Sequence, residues 1–442
     1  MNIPKVIKAV QKYNQPQIDD VRGETKRLLD EFDLSRKIKP GQRIAITCGS
    51  RGVWGLVDVV AQTVEEVKRV GGIPFLIPAM GSHGGATAEG QREMLLSLGY
   101  TEEAVKAPII SSMETVKIGE TELGTPVYVD KNAYEADGVI VINRIKKHTE
   151  QENKTESGLL KMMTIGLGKR TMAAYVHSYG VWGLMNIIPA NGKFVANCPE
   201  MNVICGIALL ENARDRVGYL EVVDNKDIPE REVELFKMAN DMYPFLPFQV
   251  CDMLVIKRGG KNISGTGMDC NMIGRFGVWG LQEPEKFYAS GCETLGQPYP
   301  LIEIIALLDL TDISHGNAIG MGQADIITKR YFNKIDYKVT YTNGKTTTFL
   351  DKIKTPFVAE TDKDAVEVGL SCLNGLMALE GKKTEDNVKF CVIDSTLHEG
   401  QFLVSKGLYE ELKERDDIEF IGDFRPLTFD EAGTLLDNPI SH

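Results

Sequence analysis

The sequence predicts an α/β protein of two modules with an active-site cleft between them, and three observations carry that expectation. First, a β-branched run, RIAIT (43–47), precedes apolar residues at helical spacing in LVDVVAQTVEEVKRV (56–70), a Gly71-Gly72 stop and a second apolar run, IPFLIPAM (73–80). Strand, helix and strand in that order imply a parallel pair joined by a right-handed crossover. Second, the alternation restarts at CDMLVIK (251–257) with another Gly-rich loop, RGGKNISGTGMD (258–269). Third, two prolines interrupt a helical run in MYPFLPF (242–248), which places a boundary there. The expected domains are 1–245 and 246–442.

Residues 1–40, with DDVRGETKRLLDEF, read as a charged helical entry segment. Both strands of the βαβ unit end in loops of small residues, CGSRG and GSHGGAT. A helix follows in TAEGQREMLLSLG (87–99), with Thr87 placed to cap it. ETELGTPVYVDK (120–131) reads as a hairpin or strand pair, and GVIVINRI (138–145) as a buried strand running into Lys146-Lys147-His148. After a long loop comes SGLLKMMTIGLGKRTMAAYVHSYG (157–180), then FVANCPEMNVICGIALLENA, which continues the alternation. In the second module LIEIIALLDLT (301–311), a helix near 320–333, a hairpin-like YKVTYTNGKTTTF, VKFCVID (388–394), an amphipathic helix and IEFIGDF (418–424) complete the pattern.

Of 442 residues, 43% are hydrophobic and 25% charged, the balance of an ordinary globular protein rather than a disordered or fibrous one. The formal charge of −12 argues against a nucleic-acid or anionic-membrane footprint, since both need clustered cations; a local cationic pocket for an acidic metabolite remains compatible. No stretch approaches the roughly 18 apolar residues of a membrane helix. The segment MNIPKVIKAVQKYNQPQ is more polar than a signal peptide, so cytoplasm is the expected location. Eight cysteines without C-x-x-C spacing suggest neither a zinc cage nor a disulfide framework.

Ligands of open α/β sheets collect at the carboxyl ends of the strands. That rule directs attention to Arg51 in CGSRG, His83 in GSHGGAT and His148 after GVIVINRI, and then to Lys161 and His177 in the small-residue segment that follows. Singly, each has a plain structural reading: a polar loop histidine, a snorkelling lysine, a helix-capping histidine, an arginine paired with a surface acid. His315, His398 and His442 have no motif around them. All three tryptophans lie in a repeated pentapeptide, GVWGL, at 52–56, 180–184 and 277–281, following Arg51, His177 and Arg275. The repeat is either a recurrent helix start or three turns around one cleft. SGTGMD is only part of a dinucleotide fingerprint, and no P-loop motif occurs.

Taken in order, Arg51, G-S-H-G-G-A-T with His83, N-R-I-K-K-H with His148, S-G-L-L-K-M-M-T-I-G-L-G with Lys161, and His177 sixteen residues on resemble the nickel-dependent lactate racemase family over roughly residues 40–180. The resemblance implies racemisation or epimerisation of a small 2-hydroxy acid by hydride transfer. Its cofactor would be a nickel-pincer nucleotide, pyridinium-3-thioamide-5-thiocarboxylic acid mononucleotide, tethered to Lys161 with nickel bound by His177. His83 and His148 would be the paired acid/base groups and Arg51 the substrate anchor. The first domain would carry the tether and the catalytic histidines, the second would close the cleft, and cofactor-maturation enzymes would be partners; the oligomeric state is left open.

The chemistry of the residues agrees with those roles. Removing an α-proton beside a carboxylate leaves a poorly stabilised carbanion, whereas moving a hydride needs an electron sink and a base for the hydroxyl proton. Return to either face needs a base on each side, which suits two imidazoles with ordinary pKa values near ~6.5. A guanidinium offers a bidentate fork for the carboxylate, and imidazole suits nickel. Two departures stand out. Family members commonly carry D-x-T-R where this chain has Cys48-Gly49-Ser50-Arg51, and no lysine in 258–275 aligns with the family's second-domain lysine, Lys261 falling too early. Asn262, Ser264, Thr266, Asp269, Asn271 and Arg275 suggest instead a more hydrogen-bonding surface and a substrate larger or more polar than lactate. On the residues alone, a nickel-independent nucleotide-dependent enzyme and a non-catalytic scaffold for a small acidic ligand stay open.

Overall fold

The computed structural model describes residues 1–149, 153–277, 299–376, 383–397 and 400–440. The chain divides into two units, residues 15–243 and residues 1–14 with 244–442. The first strand, β1 (Val6–Gln11), belongs to the latter. Residues 1–40 are therefore not helical throughout: VIKAVQ is a strand, and the helix is confined to Val21–Phe32, which the Asp20 carboxylate caps at Gly23 N. The two alternate partners that β1 finds lie about four hundred residues away, so local charge and propensity gave no hint of it.

In the unit of residues 15–243, β2 (Arg43–Cys48), β3 (Ile73–Pro78), β6 (Gly138–Arg144), β7 (Val203–Glu211) and β8 (Val217–Asp224) form a five-stranded sheet of order β3-β2-β6-β7-β8, and β4 (Thr115–Glu120) pairs with β5 (Pro126–Asp130) separately. The four strands from β3 to β7 are parallel and β8 is antiparallel, so the sheet is mixed. Alternation sorts the strands' side chains onto two faces. Ile44, Ile46, Leu76, Ile140 and Ile142 pack with Leu29, Val59, Val60 and Val64 of the helices Val21–Phe32 and Leu56–Arg69. Ala45, Phe75, Ile77, Val139 and Val141 pack on the other face with Leu159, Leu160, Met162, Met163 and Leu167 and with Leu235 and Phe236 of the helix Ile228–Asp241. Burying each such branched side chain contributes about 1.5–3 kcal/mol, and burial on both faces explains why these strands are nearly all apolar.

The other unit holds an eight-stranded mixed sheet of β9 (Val250–Gly259), β10 (Leu301–Leu310), β11 (Ile326–Thr328), β12 (Phe357–Ala359), β13 (Phe390–Ile393), β14 (Gln401–Ser405), β15 (Ile418–Arg425) and β1, ordered β12-β11-β10-β9-β13-β14-β1-β15. Strands from β12 to β13 run parallel, whereas β14, β1 and β15 are joined antiparallel. Helix Asp362–Leu376 covers one face through Ala365, Val366 and Leu370.

Two elements differ from expectation. YKVTYTNGKTTTF is a helix over Tyr337–Thr347, not a hairpin. Its Asn343-Gly344 pair looks like a turn, but a Cβ at Gly344 would lie 2.7 Å from Ile353, so the glycine serves a close approach. Asp336 caps the helix at Val339 N, and the threonine hydroxyls bond carbonyls one turn back, Thr342 to Lys338 O and Thr347 to Asn343 O. The single helix expected near 320–333 is a short turn, strand β11 and a helix over Lys329–Asn333. Among the described residues no helix is long and apolar enough to cross a membrane.

Candidate functional site

The strand order decides which loops are neighbours. Arg51, His83 and His148 follow the carboxyl ends of β2, β3 and β6, and these three strands are adjacent and parallel, with β2 in the middle. Adjacent strands lie about 4.8 Å apart, so the three loops emerge side by side from one edge of one sheet. Arg51 and His83 are exposed and His148 is half-buried. Partial loss of water and the charge of nearby Arg144 lower the pKa of Arg51, which stays cationic. Arg144 is itself paired with Glu211, whereas among the described residues no carboxylate pairs with Arg51.

The Lys161 segment packs against the same loops. Lys161, half-buried, ends a short helix, Leu159–Lys161, and leads into a π-helical turn, Met162–Gly166. A Cβ at Gly49 would stand 3.3 Å from Met162 Cε, and Gly81, at φ +60°, donates its N–H to Gly166 O at 3.3 Å with Ile165 and Ala173 beside it. Glycines at 49 and 81 thus let the Arg51 and His83 loops close onto the turn that follows Lys161. The next helix, Lys169–Ser178, carries His177 in its last turn, exposed. His177 lies one turn beyond Ala173, on the face that meets Gly81. A second π-helical turn, Gly183–Ile187, follows. Such turns are rare and frequent at functional sites. The periodicity of the segment gave no sign of either.

Two buried carboxylates hold these segments and were missed in the sequence. Glu232 accepts a 2.9 Å hydrogen bond from Leu160 N, at the head of the Lys161 helix, and a Cβ at Gly158 would come within 2.5 Å of its oxygen. Burial pushes its pKa up to about 7, although the Leu160 and Leu159 N–H groups pull the other way. Glu156 accepts from His148 N at 2.5 Å and from Asn153 N at 3.4 Å, and Asn153 donates to Met185 O. Asn143, at the end of β6, donates to Gly158 O at 2.7 Å. Their partners lie up to 72 residues away, beyond the reach of any local motif.

The departures resolve differently. Cys48, at the position of the family aspartate, is buried at the end of β2, and burial pushes its thiol pKa up, so it is a neutral group. Of the polar residues of 258–275, Ser264, Thr266 and Asn271 are buried, Thr266 donates to Met268 O, and Asp269, half-buried, caps Asn271 N. Asn262 accepts from Thr311, and Arg275 donates to Gln323 O, Ile302 O and Glu303 O and pairs with Asp325 at 2.8 Å. The GVWGL copies are not one structural unit either, since the left-handed glycine is the fourth residue in the first copy (Gly55) and the first in the second (Gly180). Trp54 lies under Arg216, 4.6 Å from its ring centre, whereas Trp182 packs with Tyr179. Residues 278–281 of the third copy, and His398 and His442, lie outside the described residues. Among the described residues no three His, Cys, Asp or Glu side chains cluster as metal ligands.

Residues 7–182 match the model of the lactate racemase N-terminal domain family, an interval that contains all five candidate residues. Among solved structures, the chain is similar to the lactate racemase apoprotein from Thermoanaerobacterium thermosaccharolyticum, with a TM-score of 0.50 and 12% identity over 84% of this chain and 95% of that one. At that identity the likeness speaks for the fold. No curated protein matches the chain in sequence. The α/β architecture with two mixed sheets is thus lactate-racemase-like, and residues 7–182 match the lactate racemase N-terminal domain family.

Proposed function

We propose that this protein is a racemase or epimerase of a small 2-hydroxy acid that works with a nickel-pincer nucleotide tethered to Lys161. The observation that carries this reading is the emergence of Arg51, His83 and His148 from three adjacent strand ends, with the Lys161 turn packed against the first two loops. The donor set fits such a group: one primary amine for the tether and, on the following helix, one exposed imidazole, His177, for the metal. When bound, the nucleotide would supply the electron sink and the nickel that the chain itself does not provide.

The remaining work falls to the chain. Arg51 receives the substrate carboxylate in a bidentate pair, which fixes the α-carbon and its hydroxyl relative to the loops on either side. Burial and nearby Arg144 lower its pKa, but a guanidinium is basic enough to stay charged at physiological pH. His83 and His148 flank Arg51 because β3 and β6 flank β2. One imidazole accepts the hydroxyl proton of one stereoisomer and the other serves the mirror-image substrate, so each acts as acid in one direction and base in the other. Glu156 fixes the backbone at His148, and Glu232 fixes the helix that presents Lys161. Cofactor-maturation enzymes are the implied partners.

The test is stereochemical exchange on a panel of 2-hydroxy acids, using protein co-expressed with the maturation enzymes. His83→Ala and His148→Ala should retain nickel and lose about 10²–10⁴-fold in turnover, the usual worth of a positioned acid/base group. Full turnover in either variant would remove that histidine from the mechanism.

A further inference from the structure

One fully buried charged cluster lies outside the groups assigned above. Lys169 Nζ pairs with Asp130 Oδ2 at 2.9 Å, with both side chains wholly buried, and also donates to Pro78 O and, at 3.2 Å, to Gln91 Oε1. Gln91, equally buried, donates onward to Gly81 O at 2.9 Å and to His83 O at 3.2 Å. Asp130 spends its other oxygen on Asn132 N and Ala133 N. Burial depresses the Lys169 pKa while Asp130 opposes the shift.

A buried ion pair is weak evidence for stability, because desolvation offsets much of the attraction and apolar replacements are often as stable. What distinguishes this pair is where its bonds lead. Lys169 opens the helix that carries His177 in its last turn, Pro78 is the last residue of β3, and Gln91 bonds the carbonyls on either side of residue 82, in the His83 loop. Lys169 also holds φ +53°, a left-handed conformation that a side-chain-bearing residue keeps only when its surroundings over-determine it, and such residues concentrate at functional sites.

We infer that Lys169, Asp130 and Gln91 are positioning residues that lock the His83 loop in register with the helix bearing His177. The consequence for catalysis rests on the roles proposed above for the two histidines; the mechanical claim does not. Gln91 conveys the lock to the loop, since its amide is the link between the ion pair and the carbonyls of Gly81 and His83.

Two variants separate the halves of the network. Gln91→Met removes both side-chain bonds to the loop carbonyls and leaves Lys169 with Asp130 and Pro78. Gln91→Glu keeps an acceptor for Lys169 but cannot donate to the loop. In the full-length protein without cofactor, both should raise amide hydrogen exchange over residues 81–86 by about tenfold, the scale of one lost hydrogen bond. The His83 ring signals, assigned by comparison with His83→Gln, should shift and broaden, with the His148 signals unchanged. In the nickel-bearing enzyme kcat should fall with nickel content unaltered. Lower melting temperatures with unchanged exchange at 81–86 and unchanged His83 signals would show a merely structural cluster and overturn the inference. The exchange and ring-signal results stand even if no hydroxy acid is turned over, so failure of the racemase reading and failure of this one are distinguishable.

Discussion

At the scale of residues, the groups that hold the site are less visible in sequence than those that would do its chemistry. Arg51, His83, His148, Lys161 and His177 stand in recognisable short motifs, and Thr87 caps its helix where a threonine before a helical run should. Gln91, Glu156, Lys169 and Glu232 read as ordinary polar positions on helices or loops, because their partners come from folding. Glu232 gives a prediction. Its folded pKa of about 7 lies above that of an unfolded glutamate, so its contribution to stability is full below about pH 4 and is lost as pH rises through 7. The shift corresponds to roughly 3 kcal/mol. Chemical denaturation at a series of pH values should show this loss between pH ~5 and ~8 in the parent and its absence in Glu232→Gln. Parallel pH profiles for the two proteins would contradict the assignment.

At the scale of elements, apolar runs and their glycine stops located β2, β3, β6, β9 and β10 and the helices Leu56–Arg69 and Ala88–Ser97, since each is specified by its own periodicity. The π-helical turns after Lys161 and the helix over Tyr337–Thr347 were not legible, the first because a widened turn keeps a helical pattern, the second because packing at Gly344 overrides its turn-like sequence. Close helix packing also surrounds Lys161. A Cβ at Gly192 would sit 2.8 Å from Leu160 Cα, Cβ and O, so helix Ile188–Asn197 meets the backbone one residue before Lys161. Gly192→Ala gains helix propensity of about 1 kcal/mol but must push that backbone away, at an overpacking cost of ~1–3 kcal/mol. A neutral-to-destabilised protein with reduced nickel retention is expected in urea unfolding and metal analysis. A clear stabilisation with full nickel content would mean the contact is slack.

At the scale of the whole molecule, the two-module α/β organisation follows from the repeated strand-helix alternation, whereas the placement of β1 does not. Between β14 and β15, β1 supplies hydrogen bonds to both, so the unit of residues 244–442 borrows its penultimate strand from residues 1–14. Deleting residues 1–14 should leave two unpaired edges. Hydrogen exchange should rise sharply over 401–405 and 418–425 while 43–48 and 138–144 keep their protection; unchanged protection at 401–405 would show that β1 is dispensable. The scarcity of histidine, six in 442 residues, acquires a meaning at this scale as well. In the proposed mechanism a bound nucleotide that brings most of the metal's ligands would ask only one imidazole of the chain, and the acid/base pair would ask two. The proposed role of Lys161 is to carry that nucleotide. Its direct test is intact-mass and peptide-mapping spectrometry, with nickel analysis, on protein co-expressed with the maturation enzymes. The expected result is an added mass on the peptide containing Lys161, nickel in proportion to it, and loss of both in Lys161→Ala. Protein that racemises a 2-hydroxy acid with Lys161 unmodified would contradict it.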